Sequence, residues 1–191
     1  MTAAMRCQQQ AVLQRAVFEN GPSQHSPQIV ARRTSGGPKV VLRRKALAYI
    51  TCGVRLLVFE HVDFPEAGIQ VPAGTIEPGE EPAAAALREA FEETGLARLQ
   101  LVDFLGARRR DMSDVGLPEI HERHFFHLQY DGAAPASWQH DECHASDASG
   151  PIRFRLYWTP LPDGVPELIA GHGDLLPMLI DRLTRVGQKI W

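Results

Sequence analysis

Residues 81–95, EPAAAALREAFEETG, limit what this chain can become more than any other stretch, because they read as one helix with both ends marked. Pro82 stands where a first helical residue belongs, strong helix formers follow, and Gly95 provides the stop. At 100° per residue, Ala84, Leu87, Ala90, Phe91 and Thr94 share an arc of about 120°, while Glu89, Glu92 and Glu93 fall on the opposite side. The spacing predicts a helix with those five residues toward the core and the three glutamates turned away from it.

Carboxylates at i, i+3 and i+4 repel one another by a few tenths of a kcal/mol per pair. Arg88, four residues before Glu92, offsets one charge and leaves the others. A divalent cation offsets more. Oxygen ligands suit Mg²⁺ or Mn²⁺, and the His and Cys ligands that Zn²⁺ prefers are missing from the array. Taken alone, the same residues better suit a solvated helix face with Arg88 as a surface ion-pair partner. What precedes the helix decides between the two.

The stretch 74–96, GTIEPGEEPAAAALREAFEETGL, resembles the Nudix box, GX5EX7REUXEEXGU with U a bulky apolar residue. The match runs through Gly74, Glu80, Arg88, Glu89, Glu92, Glu93, Gly95 and Leu96, with Ala90 a soft departure at the first U. The resemblance implies an α/β fold, a Nudix-type α/β/α sandwich with a mixed β-sheet. It also implies a metal-dependent pyrophosphohydrolase that cleaves a nucleoside diphosphate linked to another moiety, with Mg²⁺ or Mn²⁺ as cofactor. Position by position, it implies that Glu92 and Glu93 are direct metal ligands and Glu89 a ligand or water-positioning acid. Glu80 is implied as a supporting carboxylate, the backbone carbonyl of Ala73 as a main-chain ligand, and Arg88 as the residue that fixes the glutamates from behind.

The box leaves the general base open. Relatives use either Glu89 or a carboxylate on a later loop, for which Glu119, Glu122 and Glu142 are candidates. Glu119 and Glu122 rank first because they are expected just ahead of a strand, after a turn containing Gly116 and Pro118. The opening VPAGTIEPGE over 71–80 resembles the nucleoside diphosphate sugar hydrolases, which favours a nucleotide sugar or ADP-ribose type substrate. Asp111, Met112 and Ser113 occupy the distance at which other branches carry a substrate-marking Pro or Tyr. The rival reading is a Nudix fold kept as a nucleotide-metabolite sensor without turnover, against which the intact box acids argue.

With 191 residues, 44% hydrophobic and 23% charged, the chain can bury one core of ordinary size, which excludes wholesale disorder and repeats. Short β-rich runs at 46–51, 54–59, 99–106, 123–130 and 152–160 and a helix over 174–186 surround the box, with Cys52 and Gly53 as a hairpin turn. Residues 1–38 read as an N-terminal extension, helical over 1–20 or partly disordered, ahead of a domain at 39–191.

Charge is unevenly spread. Residues 1–59 hold nine Lys or Arg against the single acid Glu19, so the remainder of this chain of net charge −3 carries −11. Such a body is a poor surface for phosphate backbones, so no nucleic-acid partner is expected, and a decapping role is disfavoured. No stretch has the eighteen or so apolar residues of a membrane helix, so no membrane partner is expected. Cys7, Cys52 and Cys143 are too few and scattered for a disulfide framework, which points to the cytoplasm. The expected partner is a small nucleoside diphosphate substrate, with a homodimer left open. In a strand, His121 and His127 share one face and His124 takes the other, which disfavours a three-histidine zinc site. His140, Cys143 and His144 read as loop composition. Arg108, Arg109 and Arg110 suit either a phosphate clamp or a solvated turn, and Trp138 or Tyr157 either a base-stacking or a core role.

Overall fold

Residues 46–50 form an unbroken apolar run, the pattern of a strand covered on both faces, and that strand becomes the centre of the sheet. The computed structural model describes residues 40–133, 135–142, 152–185 and 187. They form β1 (Val41–Cys52), β2 (Arg55–His61), β3 (Ala73–Thr75), α1 (Pro82–Thr94), β4 (Leu99–Asp111), β5 (Glu119–Tyr130), β6 (Ser137–Glu142), β7 (Ile152–Pro160) and α2 (Leu176–Arg185). The strands make one sheet in the order β4-β5-β1-β2-β7-β6, with β3 attached to β1. β1 and β5 are parallel and the other pairings antiparallel, so the sheet is mixed.

Each face of the sheet carries one helix. Alternation along β1 sends Ala46, Ala48 and Ile50 to one core, where Ala85, Ala86 and Ala90 of α1 meet Phe59, Phe126 and Leu128. Leu47 and Tyr49 go to the other, against Leu175, Leu179 and Leu183 on and before α2. This is the α/β/α sandwich expected from the box. No helix among the described residues is long and apolar enough to cross a membrane.

The pairing of β1 and β2 creates the opening that the box fills. Only Thr51↔Leu56 and Cys52↔Arg55 pair, so the strands separate beyond the hairpin. β3 takes up the vacated edge of β1 through Lys45↔Thr75, Ala46↔Gly74 and Leu47↔Ala73. The start of the box is thereby hydrogen-bonded into the sheet directly beneath α1.

Three sequence expectations change. The hairpin turn is Gly53 and Val54 rather than Cys52 and Gly53, because Gly53 supplies the positive φ of 59° that the turn needs. β4 runs on to Asp111 and β5 begins at Glu119, so Arg108, Arg109 and Arg110 form a strand, not a turn, and Glu119 and Glu122 lie inside β5 rather than ahead of it. β3 and β6 had no signal of their own: one is three residues long and the other, SWQHDE, is polar. The 1–38 extension, its helix, Cys7, Cys143 and His144 lie outside the described residues.

The orientation of α1 is the larger correction. Its buried residues are Ala85, Ala86, Glu89, Ala90, Glu93 and Thr94, whereas Phe91 is 52% exposed and Ala84 faces solvent. The helix is rotated by about a third of a turn relative to the apolar arc. Small alanines let its backbone approach the sheet, and two glutamates come inward with them. Phe91→Gln is therefore expected to change stability by no more than about 0.5 kcal/mol, while Leu179→Ala in the opposite core should lose about 2–5 kcal/mol. Denaturant unfolding of the two variants measures both; a large loss at Phe91 would contradict the observed helix rotation.

Candidate functional site

Arg88 organises the region. Its guanidinium has five N–H donors. Nε donates to Glu80 Oε1 at 2.8 Å and Nη2 to Glu80 Oε2 at 2.9 Å, a bidentate pair. Nη2 also donates to the Thr75 carbonyl at 3.1 Å, and Nη1 to Glu89 Oε1 at 2.8 Å and Glu92 Oε2 at 3.2 Å. Glu80 in turn accepts the Glu77 N–H at 2.8 Å, which folds the loop ahead of α1 onto the same arginine. One cation thus ties together the loop, β3 and two glutamates of the helix.

The other two contacts of the helix acids are with β3. Glu93, only 2% exposed, accepts the Ala73 N–H on Oε2 at 2.9 Å. Glu89, 6% exposed, lies against the Cα of Gly74 so closely that a Cβ there would coincide with its carboxyl group. Glycine at 74 is thus a requirement of space, not of backbone conformation. Burial pushes the carboxyls of Glu89 and Glu93 above their usual range. The Glu93 shift is reinforced by the charges of Glu142 and Glu89.

Of the three later carboxylates, Glu142 is the one that the structure brings to the cluster. It ends β6, whose alternate residues Trp138, His140 and Glu142 all turn toward α1. Trp138 Nε1 donates to the Thr94 carbonyl at 3.1 Å and His140 Nε2 to the Glu92 carbonyl at 3.0 Å, satisfying orphan groups at the helix C-terminus. A carbonyl only accepts, so this ring nitrogen carries the proton. The strand anchored by these caps brings Glu142 to the cluster, where burial and the charges of Glu89 and Glu92 push it up to about 7. The spacing 138, 140, 142 opposite a helix end was the available signal, but without β6 it had no meaning.

Glu119 and Glu122 stand elsewhere. Three residues apart in one strand, they point to opposite faces. Glu119 accepts from Arg43 Nε at 3.1 Å and His121 Nε2 at 3.0 Å. Those bonds hold its carboxyl below the usual range against the opposing effect of burial. Glu122 is held down by Arg109 and His124. His121 and His127 lie on the face shared with Arg43 and Tyr49, and His124 on the other. Trp138 is engaged with the helix end, and Tyr157 lies under the Arg155 guanidinium.

The donor set is all oxygen and carries more buried negative charge than Arg88 offsets, which fits a hard divalent cation such as Mg²⁺ or Mn²⁺. Among the described residues, no three His, Cys, Asp or Glu side chains stand close enough to hold an ion by themselves. An ion bound there would need water or phosphate oxygens to complete its shell.

The NUDIX domain profile matches residues 41–177. The fold is similar to a UDP-X diphosphatase crystal structure at TM-score 0.54 and 16% identity, covering 80% of this chain and 68% of that one. It is also similar to the solution structure of the E. coli ORF135 protein at TM-score 0.51 and 19% identity, covering 80% and 99% respectively. No match was found among curated protein sequences.

Two outcomes test this geometry. Gly74→Ala forces the Glu89 carboxyl out of its cradle and should abolish the rise in melting temperature that Mg²⁺ gives the wild type, a rise of the size set by binding to the folded state alone. The second is a pH dependence. Glu142, Glu89 and Glu93 titrate higher in the folded chain than in the unfolded one, so without a cation their contribution to stability is present at low pH. It is lost as pH rises through about 7 for Glu142. Protons and cations compete for these carboxylates, so the Mg²⁺-induced rise should be larger at about pH 8 than at about pH 6. Equal increments in thermal melts would remove the carboxylates from cation binding.

Proposed function

The chain belongs to the NUDIX family and is a pyrophosphohydrolase of that family, and we propose that it cleaves a nucleoside diphosphate linked to another moiety, of nucleotide sugar or ADP-ribose type. The observation that carries this reading is the convergence of Glu89, Glu92 and Glu93 of α1 with Glu142 of β6, within electrostatic reach of one another and with Arg88 bonded to Glu89 and Glu92 alone of the four. A structural helix face has no use for two glutamates buried against a glycine and a strand amide. The VPAGTIEPGE opening supports the substrate class. We take the catalytic domain to span 39–191, with 1–38 as an extension, in a cytoplasmic protein with no nucleic-acid partner.

A diphosphate bridge is kinetically inert because its anionic oxygens repel a nucleophile. Glu89, Glu92 and Glu93, with the Ala73 carbonyl and Glu80 in support, would hold Mg²⁺ or Mn²⁺. The ion, when bound, neutralises phosphate charge and makes a water more acidic. Arg88 keeps the glutamates oriented through its five bonds, so their geometry does not have to be assembled at each turnover. Water oxygen bonds to one phosphorus, the bridging oxygen leaves with the other phosphate, and the proton passes to a carboxylate. Glu142 is the best placed acceptor: it faces the cluster, no arginine is bonded to it among the described residues, and its pKa near 7 suits a base at neutral pH. Glu119 and Glu122 are less suited, because each is bound to its own arginine.

Glu92→Gln and Glu93→Gln remove charge without volume and should lower turnover by about two orders of magnitude or more while the fold persists. The assay is release of nucleoside monophosphate with Mg²⁺ or Mn²⁺ over nucleotide sugars, ADP-ribose, dinucleoside polyphosphates and nucleoside triphosphates. Full turnover by either variant would count against the cluster, and turnover of triphosphates alone against the substrate class.

A further inference from the structure

The sheet face that carries α2 also carries a group of cations beside the glutamate cluster. Four are buried or half-buried: Arg43 and Lys45 on β1, Arg110 on β4 and Arg123 on β5. Parallel pairing sets Lys45 directly across from Arg123, and antiparallel pairing sets Arg110 across from His121. Burial lowers His121 to about 4, so it adds no charge near pH 7, but Lys45 and Arg123 are like charges that repel when opposed in this way.

Three of the four cations have a partner. Arg43 is bound to Glu119 at 3.1 Å and Arg110 to Asp114 at 2.7 Å. Arg123, 4% exposed, donates to the Ala170 carbonyl and lies 3.7 Å from Met112 Sδ, so it is closed off by the segment ahead of α2. Lys45 differs. Among the described residues it has no carboxylate ion-pair partner, and its hydrogen bond, 2.8 Å to Thr75 Oγ1, goes to a neutral hydroxyl. An ammonium group has three donors, so two remain. Burial lowers it to about 8, with Arg123 adding to the fall and Glu89, Glu119 and Glu93 opposing it. Its position is therefore defined: next to the first turn of the box, within electrostatic reach of Glu89 and Glu93 and paired with neither.

Resting on the hydrolase reading above, we infer that Lys45 is a phosphate-binding residue, whose free N–H donors take an oxygen of the substrate diphosphate beside the glutamates. A cation held by the carboxylates would attract a diphosphate from the α1 side only. A single positive charge set across β3 from them grips the same anion from a second direction, which orients it as well as neutralising it. The geometry also explains why an unpaired cation is kept next to Arg123: the anion that would relieve it is the ligand.

The test compares the wild type with K45M, K45Q and K45R. The probe is imidodiphosphate, a diphosphate that is not hydrolysed, titrated calorimetrically in the presence of Mg²⁺. Loss of a charge-assisted hydrogen bond corresponds to about ten- to a hundredfold in affinity. K45M and K45Q should bind the probe weaker by that factor, and K45R within about threefold of wild type. Without ligand, K45M should melt at or above the wild-type temperature, because removal of the ammonium relieves Arg123; a structural lysine would give the opposite. Equal probe affinity in K45M, no binding by the wild type, or collapse of both K45M and K45Q would overturn the inference. A wild type that binds imidodiphosphate through Lys45 yet hydrolyses no nucleotide would instead sink the hydrolase reading. Turnover with an unchanged KM in K45M would sink the Lys45 assignment alone.

Discussion

The bidentate bond between Arg88 and Glu80 is the contact on which the arrangement of the site depends. Without it the loop of residues 76–81 has no fixed relation to α1, and the guanidinium has no reason to present Nη1 to Glu89 and Glu92. The pair is partly shielded, with the arginine side chain 25% exposed and the Glu80 side chain 16%, so solvent weakens it less than a surface ion pair. All five donors of the arginine are matched to acceptors. A half-matched guanidinium in the same place would be a liability rather than a scaffold, since buried polar groups left without partners destabilise by roughly 1–3 kcal/mol each.

That scaffold explains the inward turn of the helix. Two glutamates below a tenth exposed would ordinarily rotate outward, and Phe91 would rotate in. Here Arg88 pins one end of the acid row, the Ala73 amide holds Glu93, and the bare Cα of Gly74 makes room for Glu89. The alanines at 85, 86 and 90 permit the close approach that these contacts need. The exposed phenylalanine is thus the counterpart of the buried acids: the helix has one rotation angle, and the polar contacts with β3 set it.

The site is also built across elements that are far apart in sequence. β6 is held to the end of α1 by two side-chain caps, and the same alternation that aims Trp138 and His140 at helix carbonyls aims Glu142 at the acids. On the other side, β3 borrows an edge of β1 that β2 leaves free, which puts Lys45 and Thr75 opposite one another. Negative charge converges from α1 and β6, and an unpaired ammonium approaches from β1. The separation of the two signs by a three-residue strand is what makes the region suited to an anion bound together with a cation.

The box residues, the limits of α1 from Pro82 to Gly95, the β1 run and the mixed α/β class were legible in the sequence, because each depends on local propensity or on a spacing within one element. The strand at 152–160 was read to the residue for the same reason. Three things were decided only when the chain closed on itself. Which way α1 faces depended on contacts with Ala73 and Gly74, and periodicity sees only side-chain polarity. Which later carboxylate joins the cluster depended on the pairing of β6 with β7; proximity in sequence to a Gly and Pro turn pointed instead to Glu119 and Glu122, which the arginines on β1 and β4 claim. That Lys45 lacks an acid partner while Arg43 and Arg110 have theirs and Arg123 is closed off against the Ala170 carbonyl depended on the register of three strands. Local sequence states what each element is; the balance of buried charge is a property of elements brought together, and only the tertiary structure determines it.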